Sequence, residues 1–199
     1  MGTMTHSLNR QQTEAYIEVL NHAPDRLLPY AAAAALVLGT GARIGEVLQL
    51  RIRDIFDAEL RPRERITRSI EKRRQEVRLA VPFPWERLGA PILRHLQRKI
   101  FKGQDQLFID RDRRVCFNHQ QQLLRMAGLP PVGVAFHGLR KTCLLRFHDA
   151  FARRWGETPT TWRKVQRLAG HSRIDTTLIY LDTDREGGAD SDIRAAWQN

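Results

Sequence analysis

Cysteine is scarce in this chain: Cys116 and Cys143 are the only two among 199 residues. Two thiols in apolar neighbourhoods make neither a disulfide framework nor a metal-ligand spacing, so a reducing cytoplasm is the expected setting. Long hydrophobic runs are missing too. YAAAAALVLGTG, residues 30–41, falls short of the ~18 apolar residues of a membrane span and predicts a buried helix instead. No secretory pattern opens the chain, and Met1-Gly2-Thr3 before Met4 reads as a leader. Internal repeats, low-complexity tracts and Pro/Gly/Ser-rich linkers are absent, which leaves no place to divide the chain. Acids are outnumbered: 22 Asp and Glu face 33 Lys and Arg, a net charge of +11. That excess favours a polyanionic partner, nucleic acid ahead of an anionic membrane surface, with an inert basic surface as the alternative.

What is present fits an ordinary soluble globular protein. Hydrophobic residues make up 42% and charged residues 28%, a balance that excludes a disordered chain and suits one large domain or two small ones. LNRQQTEAYIEVL (8–20) has the apolar spacing of an amphipathic helix, and 26–38 predicts an alanine-rich buried helix broken by Gly39 and Gly41. Helical spacing resumes at Arg43, with Ile44, Val47, Leu48 and Leu50 on one face. Then the texture changes. IRDIF (52–56), RITRSI (65–70) and EVRLAVP (76–82) are short and β-branched, separated by charged turns, and predict a small antiparallel sheet. Ten Lys and Arg against six acids between residues 51 and 78 make it a basic surface.

Helical patterns return at 86–100, 118–127, 138–155, 160–169 and 172–182, with Asn118 and Thr160 as caps. Leu144, Phe147 and Phe151 form a core-facing stripe. The tail breaks at Gly187-Gly188 and restarts after Ser191 or Asp192 with an apolar face of Ile193 and Trp197. The predicted class is mainly α with a small antiparallel β-sheet, an α+β fold.

Three separated segments carry unusual polar residues at helix starts. GTGARIGEVLQL (39–50) places Arg43 after a glycine turn, where backbone amides and a guanidinium together favour an anion. A surface arginine capping its own neighbourhood fits equally. FHGLRKTCLL (136–145) puts His137 and Arg140 three apart on one helix face. Two such cations side by side require an anion between them or a neutral histidine. GHSRIDTTLIY (170–180) sets His171 after a glycine and Tyr180 nine residues on; alone, Tyr180 reads as a core or interface tyrosine.

The ordered set GARIGE, IEKRRQEVRLAVP, HGLRKT and GHSRIDTTLIY resembles the tyrosine recombinases, the phage integrase family, over residues 8–182. The resemblance implies that family's catalytic-domain fold over residues 8–183, with 1–7 a leader and 184–199 a C-terminal tail exchanged between subunits. It implies that Arg43 and Arg140 hold the non-bridging oxygens of a scissile phosphate, and that His171 adds a third hydrogen bond. Tyr180 would be the nucleophile, His137 its proton acceptor and Glu46 a buttress for Arg43. Lys72 in the hairpin turn would protonate the leaving 5′ oxygen, a task for which a guanidinium is a poor proton donor. No cofactor or metal is implied, since no carboxylate cluster is available for one.

The same likeness implies double-stranded DNA as partner, a homo-tetramer on DNA with tail exchange, no membrane, and action in the cytoplasm. The chain departs from the family pattern at Gly138, where an acid is common, and at Lys141, where a histidine is common. It also begins at the catalytic domain, without the N-terminal clamp most members carry, as a naturally short member or a trimmed chain would. A type IB-like topoisomerase and a catalytically silent DNA-binding accessory protein are the competing readings.

Overall fold

The alanine run explains how the first part of the chain packs. In the computed structural model, which describes residues 6–72, 75–131 and 134–182, helix α2 (Leu28–Thr40) carries Ala31 to Ala35, all with no exposure. Side chains this small let neighbouring helices approach closely on every side. Helices α1 (Arg10–Asn21), α5 (Trp85–Arg98) and α6 (Arg113–Met126) pack against α2. Helix α1 opens on a reciprocal cap, in which Asn9 Oδ1 accepts from the Gln12 amide and Gln12 Oε1 from the Asn9 amide. Its inner face buries Tyr16, Ile17 and Leu20, and the buried Tyr16 hydroxyl donates to Gln120 Oε1 of α6 at 2.7 Å.

Gly39 does not break α2. It lies inside the helix, and its missing side chain makes room for Phe83: a Cβ there would come within 2.3 Å of that ring. The break comes two residues later at Gly41, which caps the helix in the left-handed region at φ 66°. Two single-turn helices follow, α3 (Ile44–Val47) and α4 (Ile52–Ile55).

The second of these corrects the expected strand IRDIF. Ile52 and Ile55 are both buried at a spacing of three, and Asp54 Oδ2 accepts from the Arg51 amide, closing a helical turn. The sheet therefore has two strands among the described residues. Strand β1 (Arg65–Lys72) pairs antiparallel with β2 (Gln75–Pro82), from Arg65 opposite Pro82 to Lys72 opposite Gln75.

Helix α6 starts five residues before the expected Asn118 cap. Asp112 Oδ1 accepts from the Arg114 amide at 2.7 Å and from the Val115 amide at 3.4 Å. Likewise, α8 (Pro159–Ala169) is capped by Thr158, with Pro159 as its first residue, and not by Thr160. Helix α7 spans Phe136–Trp155 and α9 spans Ile174–Asp182.

The chain divides into two compact units, one ending at Cys143 and one beginning at Leu144, with the boundary inside α7. The first unit has its own core, running from Leu8 through Leu139. The second has a smaller one, in which Leu144, Val165 and Ala169 are covered by Phe147, Phe151 and Trp162, so the predicted Leu144–Phe147–Phe151 stripe is a core face. Both cysteines are buried and unbonded to each other, and burial pushes the Cys116 thiol up to about 11. No helix among the described residues is long and apolar enough to cross a membrane. The expected restart of the tail after Ser191 or Asp192 lies outside the described residues.

Candidate active site

Gly41 and the two residues after it set the first part of the site. The left-handed turn at Gly41 releases the chain from α2, Ala42 is buried, and Arg43 stands extended at the cap position of α3. Glu46, one turn on, fixes Arg43 twice: Oε2 accepts from the Arg43 amide at 3.1 Å and Oε1 from its Nη1 at 3.0 Å. Half of the Arg43 side chain remains exposed, against 13% for Glu46. Arg43 thus belongs to its own turn, while half of its side chain stays open to solvent.

Arg140 reaches the same turn from the other end of the unit. It sits in the second turn of α7, is 1% exposed, and donates from Nη1 to the Gly41 carbonyl at 2.6 Å. Lys141 beside it is 3% exposed. His137, one turn before Arg140, is exposed but has its pKa lowered. Shielding from water is the larger cause, and the positive charges of Arg140, Arg43 and Lys141 add to it. A neutral imidazole at neutral pH follows, which answers the question posed by a histidine three residues from an arginine. The first unit thus gathers two guanidinium groups, Arg43 and Arg140, that could hold an oxyanion, beside His137 as a neutral proton acceptor.

Arg68 was missed by the sequence reading. It lies on the inward face of β1 between buried Ile66 and Ile70, is itself 1% exposed, and donates from Nη1 to Glu46 Oε2. The signal was there: the alternation Ile66-x-Arg68-x-Ile70 puts a charge at the centre of an apolar face. Lys72 ends the same strand, opposite Gln75.

His171 and Tyr180 belong to the second unit. Helix α8 ends on Gly170, left-handed at φ 67°, and His171 follows it, 6% exposed, before α9 begins at Ile174. Its Nδ1 lies 2.9 Å from Thr177 Oγ1 in α9, and its carbonyl accepts from Gln166 Nε2. A hydrogen bond at Nδ1 sets the tautomer, and when the threonine hydroxyl donates, the proton is left on Nε2. Tyr180 lies in α9, which also carries Thr177. Among the described residues, no three His, Cys, Asp or Glu side chains are gathered as a metal ion would need.

Comparison with known proteins bears on the fold and on the family. The XerH site-specific recombinase, in a post-cleavage complex with palindromic difH substrate, superposes with a TM-score of 0.71 at 18% identity, covering 100% of this chain and 54% of its own. The XerA recombinase gives 0.66 at 21% identity, over 100% and 66%. A lambda integrase dimer on a COC′ core site gives 0.58 at 17% identity, over 92% and 61%. At these identities the likeness is one of fold, and the chain spans about half to two thirds of the length of these relatives. No curated protein matches it in sequence. The sequence profile of the phage integrase family matches residues 6–186, taking in both the Arg43–His137–Arg140 group and the Gly170–Tyr180 segment. The chain belongs to the phage integrase family.

Proposed function

We propose that this chain is the catalytic part of a site-specific DNA recombinase that cuts and rejoins strands through a 3′-phosphotyrosyl intermediate. The observation that carries this reading is the bond from Arg140 to the Gly41 carbonyl, which ties one arginine to the turn that presents the other. Family membership supplies the reaction class; the XerH relative is bound to a difH substrate, the lambda integrase relative to a COC′ core site, and the Tn1549 transposon integrase to a circular intermediate DNA.

In this reading the Tyr180 phenolic oxygen attacks the scissile phosphorus: a P–O bond to tyrosine forms, the P–O3′ bond of the DNA is kept, and the P–O5′ bond breaks. His137 takes the phenol proton, consistent with the neutral imidazole its surroundings favour. Lys72 gives a proton to the leaving 5′ oxygen. Arg43, Arg140 and the Nε2 of His171 bind the non-bridging oxygens, where negative charge grows in the transition state. Because Arg140 is buried, its share of this task requires local opening at the Gly41 turn. The phosphotyrosyl bond keeps the energy of the phosphodiester, so a second 5′ hydroxyl can reverse the attack.

The catalytic domain would cover residues 8–183, after a leader of 1–7. Double-stranded DNA is the partner, in the compartment that holds it. A tetramer, with the 184–199 tail packing Ile193 and Trp197 onto a neighbouring copy, completes the proposal.

The test is covalent trapping. The protein is incubated with a pool of nicked suicide duplexes drawn from the DNA flanking its coding sequence, and SDS-stable protein–DNA adducts are counted for wild type and Tyr180→Phe. Adducts from wild type alone support the recombinase. Adducts from neither favour a silent accessory protein, and relaxation of any supercoiled plasmid by dilute protein favours a topoisomerase.

A further inference from the structure

Strand β1 carries a charge where its pattern demands an apolar group. Ile66, Arg68 and Ile70 share one face, and their exposures are 0%, 1% and 2%. A guanidinium in such a place is costly unless a carboxylate meets it. Glu46 does so, and it holds a second arginine as well. Arg68 Nη1 donates to Oε2, while Oε1 accepts from Arg43 Nη1 at 3.0 Å. One carboxylate is thus shared between a buried arginine from the sheet and a half-exposed arginine at the site.

We infer that Arg68 is a positioning residue for Arg43, acting through Glu46; the inference rests on the phosphate-binding role proposed for Arg43. A carboxylate facing one arginine alone forms a two-point pair, which would turn both donors of Arg43 inward and cancel its charge. With Arg68 on Oε2, Glu46 can take a single side-chain donor from Arg43. The remaining edge of that guanidinium stays directed outward. The charge balance agrees: two arginines and one glutamate leave one positive charge, whereas Arg43 and Glu46 alone would leave none. The link also joins two parts of the site, since β1 ends at Lys72 four residues beyond Arg68.

The test compares Arg68→Met, Arg68→Lys, Glu46→Gln and the double variant Arg68→Met/Glu46→Gln, each checked by thermal melting. Non-covalent affinity for a nicked duplex that wild type converts to adduct is measured beside the adduct rate at saturating duplex. Arg68→Met should slow the saturated rate on the order of 10²-fold, the cost of misplacing a catalytic donor. Its duplex affinity should stay within about twofold of wild type, because the loss falls on a transition-state contact. Arg68→Lys, which keeps a cation on Glu46, should recover most of the rate. The double variant should be no slower than Arg68→Met, because both substitutions remove one link. It also leaves no unpaired buried charge, so it and Arg68→Lys carry the comparison if Arg68→Met melts below the assay temperature.

A wild-type saturated rate in folded Arg68→Met, or losses that multiply in the double variant, would overturn the inference alone. Absence of adduct from wild type with every duplex would overturn the functional reading, and this inference with it.

Discussion

Arg140 Nη1 lies 2.6 Å from the carbonyl oxygen of Gly41, across 99 positions of sequence. A backbone carbonyl left facing a buried space without its donor costs about 1–3 kcal/mol. The bond therefore does two things: it satisfies the turn after α2, and it brings the two arginines of the candidate site to the same turn.

Arg140→Ala should lower unfolding free energy by about 1.5–3 kcal/mol, the range for a hydrogen bond to a charged donor. It should also remove adduct formation altogether. Urea denaturation measures the first effect and covalent trapping the second. Arg140→Lys should recover part of the stability and little of the activity, because an ammonium lacks the planar fork.

Gly39→Ala should destabilise by about 1–3 kcal/mol through overpacking, since the new methyl would run into the Phe83 ring. The pair Gly39→Ala/Phe83→Leu should recover part of that loss in the same denaturation experiment. Recovery would show that the missing side chain, and not helix breaking, is what the position requires.

The pH dependence follows from His137. Its folded pKa lies below the usual 6.5, so the folded protein binds fewer protons there than the unfolded chain. The sign is set by that difference: the contribution to stability is present above the unfolded value and is lost as pH falls through it toward the folded one. The adduct rate should fall on the acid side as well, with a midpoint below 6.5, as the proton acceptor becomes protonated. His137→Gln should lower the rate at neutral pH and flatten that acid limb in a pH–rate profile.

Thr177→Val removes the hydroxyl 2.9 Å from His171 Nδ1 and leaves a buried ring nitrogen without it. Stability should fall by about 1–3 kcal/mol, and the adduct rate should fall more than duplex affinity does. Thr177→Ser, which keeps the hydroxyl, should behave like wild type in both measurements.

The parts of this molecule that could be read from sequence were those with few physical solutions. Gly41 and Gly170 each precede a site residue, and each proves to be a left-handed helix cap, a conformation that glycine adopts without strain. The buried alanine helix and the stripe of Leu144, Phe147 and Phe151 followed from composition and period. IRDIF was misread because β-branched residues suggest a strand, while an isoleucine spacing of three and the Asp54 cap make a helical turn. Helix α6 begins early because Asp112 caps it, and Cys116 in its first turn already belongs to the buried face that Leu123 and Leu124 continue. The pattern of β1 marks Arg68 itself, but not its role: its partner Glu46 is 22 residues away, and only the folded hairpin brings the two together.

The most direct measurement is to digest the trapped protein–DNA adduct and identify, by mass spectrometry, the side chain that carries the DNA end. A 3′-phosphate on Tyr180, with a free 5′ hydroxyl on the other product, is the expected result. DNA attached to another residue, or an equal yield of adduct from Tyr180→Phe, would contradict it.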